Sequence, residues 1–153
     1  MSRKGRERPG KRFKLVFIPL FIVVFLDQLI KNLIKNNVLP ISWTTNTGSA
    51  FGLLKGFNLG LIFVSIIFIG LVVYLYDRIP RIRMLFVSVG IILGGVVGNL
   101  IDRIWLGHVI DFIDLKFWPS FNIADSFIMI GALIFLWFYL KFEHEEYLRL
   151  HKK

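Results

Sequence analysis

The chain has 153 residues, of which 56% are hydrophobic, with a formal net charge of +9 and a mean hydropathy of +0.67. Soluble domains of this size rarely have so apolar a composition, so the sequence indicates a single membrane domain. It contains no cysteine, which excludes disulfides, thiolate nucleophiles and cysteine-ligated zinc. The cations lie at the ends of apolar stretches, a pattern typical of membrane topology and anionic lipid and unlike a nucleic-acid groove.

Four apolar stretches are each close in length to the ~20 residues needed to cross a bilayer. Because a backbone in lipid must satisfy its own hydrogen bonds, we predict a helix in each. No small-residue cleavage site follows the first stretch, so we predict a retained span and not a signal peptide. The predicted spans are roughly Phe13–Ile30, Leu59–Tyr76, Met84–Leu100 and Ala124–Leu140.

The predicted fold class is an α-helical membrane protein with four transmembrane helices. We divide the chain into a mobile basic tail (1–12), a four-helix transmembrane domain (13–141) and a charged C-terminal tail (142–153). Lysine and arginine are dense in both tails and in the loop between spans two and three, and sparser in the other two loops. By the positive-inside rule, both termini are cytoplasmic and the regions 27–57 and 102–123 face outward.

Glycines at every fourth position, Gly90, Gly94 and Gly98, mark one face of the third span. Small residues at this spacing let a neighbouring helix approach closely, so we predict a helix-packing groove. A backbone that must approach a ligand is the less favoured explanation.

The two outward loops have different compositions. Residues 38–51 mix β-branched residues with Pro40, Asn46 and Gly48, a pattern that predicts short strands or turns. Residues 104–121 alternate aromatic and charged residues, including Trp105, and are predicted to lie at the membrane–water interface.

Ionisable residues beside membrane spans are candidates for function, because burying them is costly. Asp27 and Lys31 have the i, i+4 spacing of a helical ion pair, which either anchors the end of span one or orients an active site. Asn99, Asp102 and Arg103 share one face of the third span, where a supporting role is favoured over direct chemistry.

Asp111 and Asp125 lie on different elements of the outward side and can converge. Burial of Asp111 between apolar neighbours should raise its pKa, although a loop carboxylate paired with Lys116 or Arg103 is an alternative. Asp125 is the third residue after Asn122 and could simply form a capping box. Together, two carboxylates sharing one proton can act as a general acid and a general base.

Competing chemistries have weaker support. The serines have no histidine placed as a base, and a metal site built on His108 and Asp111 would rest on a single histidine. We therefore predict no metal and no cofactor. A proton or cation pathway through the aspartates would require polar residues at mid-span and inverted repeats, and neither is evident. A purely structural protein would leave the polar motifs of the outer loops unexplained.

The candidate residues fall within four short motifs that follow one another along the chain. They are Asp27–Lys31 (DQLIK), Asn46–Gly52 (NTGSAFG), Gly94–Phe112 (GGVVGNLIDR, then GHVIDF) and Phe121–Ser126 (FNIADS). In this order, on four spans, the sequence strongly resembles the bacterial lipoprotein signal peptidase (signal peptidase II) family from about Phe13 to Leu140. The loop between Asp114 and Phe121 carries no family motif, and its shortness would alter substrate fit.

The resemblance implies an aspartic endopeptidase of the bacterial inner membrane, with its site near the outer leaflet under a small extracytoplasmic β-rich cradle. It would cleave diacylglyceryl-modified prolipoproteins on the N-terminal side of the lipidated cysteine. Expected partners are these substrates and membrane lipids, without nucleic acid, and the expected state is a monomer. The family's catalytic dyad falls on Asp111 and Asp125. Its supporting residues fall on Asp27, Lys31, Asn46, Gly48, Asn99, Asp102, Arg103, Asn122 and Ala124.

Overall fold

The structure, a computed structural model, describes residues 9–48 and 56–151. Within these ranges the elements are α1 (Pro9–Lys35), β1 (Thr44–Asn46), α2 (Asn58–Leu75), a 3-10 turn (Tyr76–Arg78), α3 (Arg83–Trp105), β2 (Val109–Asp111) and α4 (Ile123–His151). Each of the four helices is long and apolar enough to cross a membrane. The predicted four-span helical architecture is therefore confirmed.

The helices extend beyond the apolar stretches that predicted them. Helix α1 continues to Lys35, past the predicted end of the first span at Ile30, so Lys31 lies on the same helix as Asp27. Helix α4 continues through residues 142–151 of the predicted C-terminal tail. Hydropathy detects the part of a helix that lipid covers, whereas the backbone hydrogen bonds continue into the polar interface.

Parts of three predicted segments lie outside the described residues. They are residues 1–8 of the basic tail, residues 49–55 of the first outer loop with the end of its motif, and residues 152–153. The last residues of the basic tail, from Pro9 onward, belong to helix α1.

Helix α3 is the centre of the bundle. It contacts α1, α2 and α4, and it carries more buried residues than any other element of the described chain. Helix α2, in contrast, contains no buried residue. The packing core on one side of α3 contains Val16, Phe86, Val89 and Leu93.

The glycines of α3 are where the other helices approach it most closely. A methyl group on Gly94 would lie 2.7 Å from Cβ of Val23 on α1, and one on Gly90 would collide with the backbone of Val16. On another face of α3, a methyl group on Gly95 would collide with the backbone of Ala124 on α4. The predicted packing groove is confirmed, because backbone contact at these positions leaves no room for a side chain.

The two strands form a small antiparallel sheet with the register Thr44↔Asp111, Thr45↔Ile110 and Asn46↔Val109. This sheet confirms the prediction of short strands in the first outer loop. Since alternate residues share a face, Asn46 lies diagonally across from Asp111 on the same face. A further antiparallel bridge joins Ile113 to Phe121 and closes the next loop.

We predict that Gly94→Val destabilises the bundle by about 1–3 kcal/mol, because the added side chain overpacks the contact with α1. Gly70→Val on α2 is the matched control, since nothing lies within 4 Å of a methyl group built there. Both changes alter helix propensity equally. Unfolding in mixed detergent micelles, followed by helix content, measures the difference, and equal stability of the two variants would contradict the packing role.

Candidate active site

Asp111 ends strand β2 and is only 2% exposed. Both of its carboxylate oxygens accept hydrogen bonds from amide groups. Asn46 Nδ2 donates to Oδ2 at 2.8 Å, and Asn122 Nδ2 donates to Oδ1 at 2.8 Å. The sheet register supplies the first donor and the start of α4 supplies the second, so the carboxylate is held from two sides.

Asp125 lies in the first turn of α4 and is partly exposed. Its backbone N–H donates to Asn122 Oδ1 at 3.0 Å, and the backbone N–H of Asn122 donates to Asp125 Oδ2 at 3.2 Å. This reciprocal pair is the capping box that the sequence predicted. Asn99 Nδ2 donates to the other oxygen, Asp125 Oδ1, at 2.8 Å, so this carboxylate also has a partner outside its own helix.

Asn122 therefore connects the two carboxylates. Its side-chain amide donates to Asp111, while its backbone N–H donates to Asp125. A capping box explains the hydrogen bond to Asp125 but not the hydrogen bond to Asp111. Two carboxylates fixed by one residue can divide the roles of proton donor and proton acceptor.

A polar cluster joined to this pair through Asn99 consists of buried Asp27, Lys31, Asn99 and Asp102 and of half-buried Gln28. Lys31 Nζ lies 2.7 Å from Asp27 Oδ2 and 2.8 Å from Asp102 Oδ2, and it donates to Asn99 Oδ1 at 3.1 Å. The predicted pair of Asp27 and Lys31 is present, but it joins α1 to α3 as well as anchoring its own helix.

The same cluster reaches α4. Asp27 Oδ1 accepts a hydrogen bond from the backbone N–H of Ala124 at 3.0 Å. Ala124 is fully buried against Gly95 and Gly98 of α3. The first turn of α4, which carries Asp125, is therefore fixed to both α1 and α3.

Gln28 was not among the predicted site residues, although the first motif contains it. Its Nε2 donates to Asp102 Oδ1 at 2.9 Å, to the carbonyl oxygen of Gly98 at 3.1 Å and to Asp27 Oδ2 at 3.2 Å. The only sequence signal was a polar residue next to Asp27 near the end of an apolar span. Gln28 holds both carboxylates that face Lys31.

Arg103 and Gly48 lie on the other side of the pair. Arg103 Nη2 donates to the carbonyl oxygen of Gly48 at 3.3 Å, which ties the part of the first outer loop just after β1 to α3. Asn58, a residue that the sequence did not single out, donates from Nδ2 to the carbonyl oxygen of Arg103 at 3.1 Å. Helix α2 is thus attached to the region of the site by its first residue.

A cavity of about 500 Å³ opens onto this arrangement. Its polar wall contains Asn46, Asn99, Arg103 and Asp125, and the remaining wall is largely apolar. Asp111 lies behind the wall, within hydrogen-bonding distance of Asn46. A substrate in the cavity would therefore meet Asp125 directly and Asp111 at greater depth.

Burial raises the pKa of Asp111 above its ordinary value. The hydrogen bonds from Asn46 and Asn122 and the charge of Lys31 oppose this rise, and the negative charge of Asp125 adds to it. The direction agrees with the sequence-based expectation. A carboxyl group with a raised pKa keeps its proton to a higher pH, as a general acid requires.

Of the two alternative partners for Asp111, Lys116 is wrong. Lys116 Nζ lies 2.7 Å from Asp114 Oδ2, and this exposed pair holds the pKa of Asp114 below its usual range. Lys116 therefore pairs with Asp114 and not with Asp111. Within residues 9–48 and 56–151, no group of three or more His, Cys, Asp or Glu side chains could hold a metal ion.

The geometry can be compared with known proteins. The family model described as signal peptidase (SPase) II matches residues 19–141. The chain belongs to this family. It is accordingly a peptidase with membrane-spanning helices.

Two relatives illustrate the similarity across the signal peptidase II family. The lipoprotein signal peptidase of Halothermothrix orenii is 36% identical over 138 residues, covering 80% of this chain and 95% of that protein. The lipoprotein signal peptidase of Caldanaerobacter subterraneus subsp. tengcongensis is 38% identical over 133 residues, covering 78% of this chain and 92% of that protein.

Solved structures show the same architecture. One bacterial membrane enzyme superposes with a TM-score of 0.75 at 30% identity, covering 92% of this chain and 93% of that one. A second superposes with a TM-score of 0.73 at 27% identity, covering 92% and 99% of the two chains. The fold shared with these membrane enzymes therefore extends over nearly the whole chain.

We predict that Asn46→Ala moves the alkaline limb of the pH–activity profile to higher pH. The Asn46 amide favours the ionised form of Asp111, so its removal raises the pKa of Asp111 further and the carboxyl group keeps its proton longer as pH rises. The profile of kcat/KM for peptide cleavage measures this shift. Thr45→Ala, at the exposed neighbouring strand position, is the control, and an unchanged or acid-shifted limb in Asn46→Ala would contradict the assignment.

Proposed function

We propose that this protein removes signal peptides from diacylglyceryl-modified prolipoproteins by aspartic catalysis at Asp111 and Asp125. The bond cleaved is the peptide bond on the N-terminal side of the lipidated cysteine. The observation that carries the proposal is the connection of both carboxylates through Asn122 at the wall of a cavity, in a chain of the signal peptidase II family.

The proposed reaction begins with one proton on the carboxylate pair. The ionised carboxylate takes a proton from a water molecule, whose oxygen attacks the carbonyl carbon of the scissile bond. The protonated carboxyl group donates its proton to the carbonyl oxygen. When the tetrahedral intermediate collapses, one of its hydroxyl groups returns a proton to the carboxylate that had donated one, and the C–N bond breaks. The amine nitrogen of the lipidated cysteine takes the proton that the other carboxyl group took from water, so the pair again holds one proton. No cofactor takes part in this sequence of steps.

The other site residues have supporting roles in the proposal. Asn46, Asn99 and Asn122 orient the two carboxylates through the hydrogen bonds described above. Asp27, Lys31 and Asp102 hold Asn99 and the first turn of α4 in place, and Ala124 is the point where that turn is fixed. Gly48 and Arg103 shape the cavity wall.

The proposed location is the bacterial inner membrane, with both termini in the cytoplasm and the dyad on the outer side. The inner loop carries Arg78, Arg81 and Arg83, which supports this orientation. A prolipoprotein exported across the membrane would then present its lipidated cysteine at the outer leaflet. We propose that the enzyme works as a monomer, because both carboxylates and their partners come from one chain.

We predict that Asp111→Asn and Asp125→Asn each reduce cleavage of a diacylglyceryl-modified prolipoprotein by about 10²–10⁴-fold, the usual contribution of general acid–base catalysis. The purified variants would be assayed in nanodiscs with a chelator, following loss of the signal peptide by gel shift. Asp114→Asn, in the exposed ion pair, is the matched control. Full activity of either dyad variant would reject the acid–base role, and a folded wild type without cleavage would favour the alternative of an ion pathway.

The orientation can be tested in the natural sequence background, which contains no cysteine. We predict that Ser42→Cys, an exposed position beside β1, reacts with a membrane-impermeant maleimide on intact spheroplasts, whereas Arg81→Cys, exposed in the loop before α3, reacts only after lysis. The expected difference follows from the positive-inside rule. The reverse pattern of labelling would invert the proposed topology.

A further inference from the structure

The segment between β2 and α4 forms a closed loop at the wall of the cavity. Antiparallel hydrogen bonds join its ends, with Ile113 N–H donating to the carbonyl oxygen of Phe121 at 2.9 Å and Phe121 N–H donating to that of Ile113 at 3.1 Å. Inside this closure, Lys116 adopts a left-handed backbone with φ of 68° and pairs with Asp114. The 114–120 loop is therefore held in a defined shape.

The shape of the 114–120 loop places apolar side chains outward. Phe117, at 83% exposure, is among the most exposed large hydrophobic residues in the described chain, and Leu115 and Trp118 are also exposed. Exposure of a phenylalanine to this extent is costly in water and favourable at a membrane interface. Anchoring of the loop in lipid would explain this exposure by itself.

The cavity gives the exposed side chains a second role. Leu115 and Phe117 line the same cavity as Asp125, and Met129 and Ile130 of α4 line it as well. Met129 and Ile130 are themselves exposed on a membrane-spanning helix. The cavity thus has a polar end at the carboxylates and an apolar mouth that opens toward lipid.

The change from a polar end to an apolar mouth matches the lipidated cysteine of the proposed substrate. A cysteine carrying a diacylglyceryl group has a peptide bond and ester groups at one end and acyl chains at the other. With the peptide bond at Asp125, the acyl chains would leave the cavity through the apolar mouth. Anchoring alone does not require Phe117 to line the catalytic cavity, whereas contact with the acyl chains does.

We propose that Phe117, on the 114–120 loop, contacts the acyl chains of the diacylglyceryl group and determines the preference of the enzyme for long-chain substrates. This inference rests on the proposed function. Phe117 acts as a specificity residue and takes no part in proton transfer.

The test compares two prolipopeptides that differ only in the diacylglyceryl group, one dipalmitoyl and one diacetyl, with the enzyme in nanodiscs. We expect wild type to prefer the dipalmitoyl substrate and Phe117→Ala to reduce the ratio of the two kcat/KM values about tenfold, mainly through KM for the dipalmitoyl substrate. Phe117→Leu, which keeps an apolar side chain, should restore most of the ratio. Phe57→Ala, an exposed phenylalanine that lies before α2 and does not line this cavity, should leave the ratio unchanged.

The outcomes separate this inference from the proposed function. An equal loss of cleavage of both substrates in Phe117→Ala would mean that the loop serves only as a lipid anchor, and would overturn the inference. Cleavage of both substrates at equal rates by wild type would overturn it while leaving the dyad mechanism intact. Absence of cleavage by wild type would overturn both proposals. Melting temperatures of the variants in the same nanodiscs establish that a changed ratio comes from a folded protein.

Discussion

The buried ammonium group of Lys31 is the interaction on which the site depends most. A cation that is 2% exposed inside a helical bundle is stable only if opposite charges and hydrogen-bond acceptors surround it. Asp27 on its own helix, together with Asp102 and Asn99 on α3, meets this requirement. Since Asp27 also binds the backbone of Ala124, one cation fixes the relative positions of three helices.

The same cation determines the orientation of the Asn99 amide. Asn99 Oδ1 accepts from both Lys31 and Asn122, so the oxygen of the amide faces two donors. Its NH₂ group must then face the opposite way, where it donates to Asp125. The ion pairs of Lys31 thereby set the orientation of an amide that binds a carboxylate at the cavity wall. In the proposed reaction this electrostatic preorganisation costs nothing at the moment of reaction.

The sequence predicted the four spans and the glycine groove, because long apolar runs and repeated small residues are local signals. It missed the full lengths of α1 and α4, since hydropathy does not record where hydrogen bonding ends. Strand register, which brings Asn46 to Asp111, and the contacts of Gln28 depend on residues far apart in the chain, so one sequence could not provide them.

The hydrogen bonds from Asn122 to both carboxylates affect how the site responds to the thickness of the membrane. One short stretch of chain, from β2 to the first turn of α4, contains both carboxylates and the amide between them. Bilayers differ in thickness, and spanning helices adapt to them by tilting. Because Asn122 binds both carboxylates within that stretch, we expect the pair to move as a unit when the helices tilt. The chemistry would then tolerate membranes of differing lipid composition.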